Sequence, residues 1–190
     1  MKHAILCLIP VFFLLACLNC TNPSIANDQE ASPFVLPYPV GEAYTCMQGW
    51  YGPYSHFGVF KYSVDFTMPI GTEITAARDG VVNYTLDSHS DSDDAAGLEN
   101  VLVIMHSDST FSRYIHLTHN GILVKVGDIV KRGDKIALSG KSGTDLPHLH
   151  FDITKGSGDR KRQTIPFVFR NTIAQFDGPK QGVIYKAYFY

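Results

Sequence analysis

Pro147-His148-Leu149-His150-Phe151-Asp152-Ile153 decides how the fold is read. In a strand, residues i and i+2 point to the same face. His148 and His150 then share one face, while Leu149, Phe151 and Ile153 share the other. One apolar and one polar face describe a strand lying on a packed core. Two imidazoles side by side above such a sheet suit a metal site or a proton-transfer site. The chain holds eight histidines, so the pair needs support from elsewhere in the sequence.

The neighbouring segments carry the same β-type punctuation. From Ser63 to Met68 apolar Val64, Phe66 and Met68 alternate with Ser63, Asp65 and Thr67. Asp79-Gly80 precedes Val81-Val82, a turn entering a strand. Val101 to Met105 is a continuous apolar run, the pattern of a strand buried on both faces. Tyr114 to Leu117 predicts another short strand. Asn120-Gly121, Gly127-Asp128 and Gly133-Asp134 predict three closely spaced turns. No segment beyond the N-terminal region keeps a helical period over three turns. The expected fold is all-β, an antiparallel barrel or sandwich with short strands and long loops. Ser88 to Gly97 is acidic but lacks the ligand spacing of an EF-hand and predicts a solvated loop. Residues 156–162, polar and basic, predict a second loop. The aromatic tail from Thr164 to Tyr190 predicts a final strand or an arm over the sheet.

The chain has 190 residues, 45% of them hydrophobic and 18% charged, enough for one domain with a real core. A net charge of −2 with no basic stripe excludes nucleic acid as an expected partner. Lys2 and His3 precede an apolar run from Ala4 to Leu18, broken only by Pro10, which reads as a secretory signal. Ser24-Ile25-Ala26 offers a cleavage site that ends a signal peptide at residue 26. Leu14-Leu15-Ala16-Cys17 offers a lipobox instead, with Cys17 as the only expected membrane anchor. Either places the protein in the periplasm or cell envelope. Residues 27–43 predict a linker or N-terminal arm, and residues 44–190 the folded domain. Of the cysteines only Cys46 lies inside that domain. The lipobox alternative would leave Cys20 available to pair with it.

Asp65 is a carboxylate in an otherwise apolar strand, costly to bury unless paired or metal-bound. His116, between Ile115 and Leu117, is expected to share a strand face with Tyr114. His56 lies on a Gly- and Pro-containing stretch. His89 and His119 fall in turns, and His106 ends an apolar strand at the expected sheet edge. With no helical His-Glu-x-x-His and no Cys-x-x-Cys, a zinc site would have to be assembled from strands and loops.

Four blocks in order give a resemblance: Gly49 to Asp65, with Ser55-His56-Phe57-Gly58 and Tyr62-Ser63-Val64-Asp65; Asp65 to Thr72, running on to Val82; Asn100 to His106 with Tyr114-Ile115-His116-Leu117; and Val126 to Asp134, ending in His148-Leu149-His150-Phe151-Asp152. Over Tyr44 to Ile153 the chain resembles the lysostaphin-type zinc endopeptidases of bacterial cell walls. The resemblance implies that family's β-fold, one zinc ion per chain, and peptidoglycan stem or cross-bridge peptides as substrate. It implies Asp65 and His150 as metal ligands, with an upstream histidine as the third. The family's usual position, four residues before Asp65, is Lys61 here, so His56 would have to arrive from a loop or bulge. His148 is implied as the proton carrier and His116 as a stabiliser of the tetrahedral oxyanion. Asp152, on the face of His150, is a candidate to orient that imidazole. The competing reading is a catalytically inactive relative, a wall-binding or amidase-activating module. A lipoyl-type carrier is disfavoured, because Lys141 lacks the neighbours such a lysine needs.

Overall fold

The computed structural model describes residues 29–156 and 163–190. The expected signal segment with Cys17, and nearly all of the loop at 156–162, lie outside the described residues. The described strands are β1 (Ala43–Gln48), β2 (Val64–Thr67), β3 (Glu73–Thr75), β4 (Gly80–Leu86), β5 (Val101–Met105), β6 (Thr110–Ile115), β7 (Leu117–Ile122), β8 (Ile129–Val130), β9 (Lys135–Ser139), β10 (His148–Lys155) and β11 (Ile184–Lys186). One sheet runs in the order β11-β1-β2-β10-β6-β5-β4-β8 and a smaller one in the order β3-β9-β7. Every strand pairing is antiparallel. The large sheet is open, with β11 and β8 as its edges, so the architecture is a sandwich and not a closed barrel. No helix among the described residues is long and apolar enough to cross a membrane.

β10 lies between β2 and β6. Its alternation divides its residues as the sequence predicts. Leu149, Phe151 and Ile153 enter the main core, alongside Phe66 of β2, Tyr114 of β6 and Ile74 of β3. The opposite face carries His148, His150 and Asp152. β5 is buried on both faces: Leu102 and Ile104 join the main core, while Val101 and Val103 form a second cluster with Phe111 and Ile115.

Both flanking segments help close the core. Phe34, Leu36 and Tyr38 are buried, as are Phe167, Phe169 and Tyr185 of the tail. Phe151 packs against Phe167 and Phe169 with ring centroids 5.4 and 5.6 Å apart. The Tyr38 hydroxyl donates to the Tyr185 carbonyl at 2.7 Å, and β11 pairs with β1. Cys46 is a buried free thiol in this core, its pKa pushed up to about 12 by burial.

Two of the three predicted turns have the expected form. At Gly127 and Gly133 φ is +94° and +88°, a region glycine enters without steric cost. Asp128 and Asp134 then accept the backbone N–H of Lys125 and Lys131 at 2.8 and 2.7 Å. Asn120-Gly121 differs: it lies within β7, where Asn120 at φ +52° breaks the register with β9 instead of separating two strands. His106 also differs from expectation. It is buried and does not merely face the sheet edge; its ring spans the Asp79 carbonyl and the Ser112 hydroxyl and meets Phe34 edge-on. Burial holds its pKa below the usual histidine value.

Phe151→Ala should cost about 3–5 kcal/mol of unfolding free energy, the range for emptying a buried aromatic site. Denaturant unfolding would measure it, and a loss under about 1 kcal/mol would mean that the core does not centre on β10.

Candidate metal centre

Strand register builds the centre. Asp65 of β2 pairs directly with His150 of β10, and His150 also faces Ile115 of β6. Two residues along, Asp152 pairs with Arg113. Because side chains alternate, a one-residue slip of β10 would turn both pairs to the wrong face.

His56 comes from the long β1–β2 connection. Its side chain is fully buried, and its Nδ1–H donates to the Gly49 carbonyl at 2.8 Å. That bond fixes the tautomer and leaves Nε2 bare. Nε2 lies 3.1 Å from Asp65 Oδ2, and His150 Nδ1 lies 2.9 Å from Asp65 Oδ1. Ligand atoms of His56, Asp65 and His150 all lie within 4.8 Å of one another. Lys61 is not among them; its ammonium sits over the Tyr62 ring, 4.9 Å from the centroid.

This donor set fits zinc. Bonds of about 2.0–2.1 Å in a tetrahedron set ligand atoms roughly 3.3 Å apart, and the two histidine nitrogens lie 3.1 and 2.9 Å from the Asp65 carboxylate oxygens. His56 Nε2 and Asp65 Oδ1 are buried without an aligned hydrogen bond, and such orphans are costly unless something else satisfies them. Burial would push the Asp65 carboxyl up, but the charge and hydrogen bond of His150 hold it well below the usual carboxylate range. His150 is the complement. Burial would lower it, yet Asp65 and Asp152 raise it to about 9. The place between Asp65 and His150 is one where positive charge is stabilised.

A further layer supports His150. Its Nε2 lies 3.1 Å from Asp152 Oδ2, so Nε2–H is directed to that carboxylate and Nδ1 to the centre. Asp152 is itself held by a bidentate pair, Arg113 Nε and Nη2 donating at 2.7 and 2.6 Å, with both side chains buried. Burial raises the Asp152 carboxyl, but Arg113 outweighs this and brings it to about 2.

His148 and His116 stand beside the ligands. His148 Nδ1–H donates to the Leu146 carbonyl at 2.8 Å, and its Nε2 lies 3.9 Å from Asp65 Oδ1. His116 does not share the face of Tyr114. It sits at φ +64° between β6 and β7, a left-handed conformation uncommon outside glycine, which turns its ring onto the site face. Its Nδ1–H donates to the Ser142 carbonyl at 2.7 Å. The backbone that follows is secured by Asn100 Nδ2 and the Ser142 hydroxyl, both donating to the Leu117 carbonyl. The two rings are 4.6 Å apart. Burial and the neighbouring imidazoles His148 and His150 lower His116 to about 3, and burial also lowers His148. Both shifts favour the neutral ring, in which Nε2 is an acceptor.

A groove of about 920 Å³ opens beside the centre, reaching from His150, His116 and Ser55 over Val101, Val103 and Ile115 to Glu99. His89 and His119 take no part. The His89 backbone is bonded to the Asn100 side chain, and exposed His119 contacts the Ser88 carbonyl. Sequence reasoning did not single out Gln48, Arg113 or Ser142. Arg113 could have been found, since an arginine two residues before Ile115 on an apolar strand needs a buried partner.

Residues 59–163 match the protein family described as Peptidase family M23. The chain is 43% identical over 90 residues to the peptidoglycan DD-endopeptidase ShyA of Vibrio cholerae, covering 47% of this chain and 19% of that protein. It is 34% identical over 124 residues to lysostaphin of Staphylococcus staphylolyticus, covering 62% of this chain and 24% of that protein. The chain thus spans roughly a fifth to a quarter of the length of these relatives. Among solved structures, the catalytic domain of a variant of the prophage-encoded M23 protein EnpA from Enterococcus faecalis superposes with a TM-score of 0.52 at 25% identity, covering 68% of this chain and 93% of that one.

Arg113→Leu should cost about 3–5 kcal/mol, because it strands a buried carboxylate, whereas Arg113→Leu with Asp152→Leu should cost less than the single change. Denaturant unfolding of the zinc-free protein would compare them; a double variant less stable than Arg113→Leu would contradict the pairing.

Proposed function

We propose that this chain, which belongs to peptidase family M23, is a zinc metalloendopeptidase that hydrolyses peptide cross-links of peptidoglycan. One observation carries the reading. Three ligand atoms converge at the end of an open groove, with two neutral imidazoles beside them. The substrate class follows from the relatives: ShyA is named for peptidoglycan endopeptidase action.

His56, Asp65 and His150 hold the zinc. When bound, the ion supplies Lewis acidity that activates water and polarises the scissile carbonyl. The remaining steps belong to the chain. The groove over Val101, Val103 and Ile115 takes an extended peptide and aligns its carbonyl at the His116 end. His148, neutral and with Nε2 bare, accepts the proton of the attacking water. Its neighbour Asp65 favours that proton. Once the proton is taken up, His148 carries the positive charge and presents its Nε2–H to the developing oxyanion. The neighbouring His116 ring, its centroid 4.6 Å away, flanks the place where that oxyanion forms. His148 then returns the proton to the leaving amine.

Residues 1–26 serve as a signal peptide, or Cys17 as a lipid anchor, delivering the domain to the periplasm or cell envelope. There it meets its substrate.

Zinc analysis and digestion of purified peptidoglycan test the assignment. His150→Ala should lose bound zinc. His148→Ala should keep zinc and lose about 10²–10⁴-fold in rate, the usual contribution of a positioned acid–base group. A wild-type protein that neither binds zinc nor releases peptides would sink it.

A further inference from the structure

The β1–β2 connection has to hold an imidazole at one point although nothing in its own spacing aligns His56 with Asp65. The last residue of β1 supplies an anchor. Between Cys46 and Gln48 the register with β2 shifts, so that Cys46 faces Phe66 and Gln48 faces Asp65. Such a bulge re-aims the side chain that follows it. Gln48 is buried, 3% exposed. Its Oε1 accepts the backbone N–H groups of Tyr54 and Ser55 at 2.8 and 3.1 Å. Its Nε2 donates to the Ser55 hydroxyl at 2.8 Å and to Asp65 Oδ2 at 2.9 Å. All four hydrogen-bonding positions of the amide are used. Only this orientation of the amide satisfies them, because Oε1 faces two donors and Nε2 faces a carboxylate. The fit is close: a Cβ at Gly52 would lie 2.2 Å from Gln48 Cγ. The next carbonyl, Gly49, receives the Nδ1–H of His56.

We propose that Gln48 is a positioning residue for the metal centre. Its amide clamps the 54–55 backbone against Asp65 and so delivers His56, the next residue, to the ion. The inference rests on the zinc reading above. In this arrangement a full-length amide does what a shared strand face does for Asp65 and His150: it removes the freedom of one ligand before the metal arrives.

Zinc affinity of the full chain, measured by chelator competition, tests this in a cycle of wild type, Gln48→Met, His56→Ala and the double variant. Gln48→Met keeps the side-chain length and removes the hydrogen bonds. It should weaken zinc binding by about 10–100-fold, the range for losing a group that orients a ligand. In the His56→Ala background the same change should add less than about twofold, because the effect runs through His56. Gln48→Asn keeps the amide but withdraws it by one methylene from the 54–55 backbone and Asp65, and it should also bind more weakly. Thermal melting of the zinc-free proteins gives a separate measure of folding. If Gln48→Met does not fold, Gln48→Asn carries the same cycle. Zinc affinity within about twofold of wild type in the folded variant would overturn the proposal. So would an equal loss with and without His56, which would place the effect on Asp65 alone. A wild-type chain that binds no zinc would instead refute the metal reading on which the inference stands.

Discussion

Asp65 is a carboxylate held at 3% exposure in an antiparallel sheet, and the site is organised around compensating it. A buried carboxylate is tolerable only with opposite charge and hydrogen bonds in place. His150 approaches from one paired strand and the Gln48 amide from the end of the other, β1, while His56 arrives from the β1–β2 connection and His148 from two residues along β10. Each of these groups is positioned by a different device: cross-strand register, a loop clamp, and alternation along one strand. The same convergence that stabilises Asp65 gathers the ligand atoms.

Around this runs a second shell of charge. Arg113 neutralises Asp152, and Asp152 orients His150. The arginine is among the largest fully buried side chains, below a groove with an otherwise apolar floor. A well-packed apolar pair of similar volume would serve stability at least as well. What an apolar pair could not do is accept the Nε2–H of His150 and keep its Nδ1 turned toward Asp65.

Much of this was readable from the sequence, and the parts that were not share a cause. The alternation in His148 to Ile153 predicted β10 and its two faces, and the apolar run Val101 to Met105 predicted a doubly buried strand. Those readings depend only on period, which the chain carries locally. The Lys-x-Gly-Asp turns at 125–128 and 131–134 were likewise visible, because one glycine and one aspartate complete them. His116 was assigned the face of Tyr114 because a period assumes an unbroken strand; a single left-handed φ reversed it. Asn120-Gly121 looked like a turn and became an irregularity within β7. His106 was read by its place at the end of a run, while its burial depends on Asp79, Ser112 and Phe34, all distant in sequence. The need for His56 to come from a loop or bulge was legible from its offset to Asp65. What holds it there, a glutamine contacting residues six and seven positions ahead, is a tertiary fact that no period reports.

The tautomers of the four imidazoles have unequal origins. His56, His116 and His148 each direct Nδ1–H to a main-chain carbonyl, of Gly49, Ser142 and Leu146 respectively. A carbonyl is supplied by whatever residue occupies the position, so no point substitution can delete these acceptors. The tautomer of three of the four rings is thereby insulated from mutational drift in the surrounding side chains. His150 alone relies on a side chain, Asp152. Natural or laboratory evolution that seeks to change a tautomer at this centre without moving its backbone has one side-chain handle, and it lies at position 152 and its partner at 113.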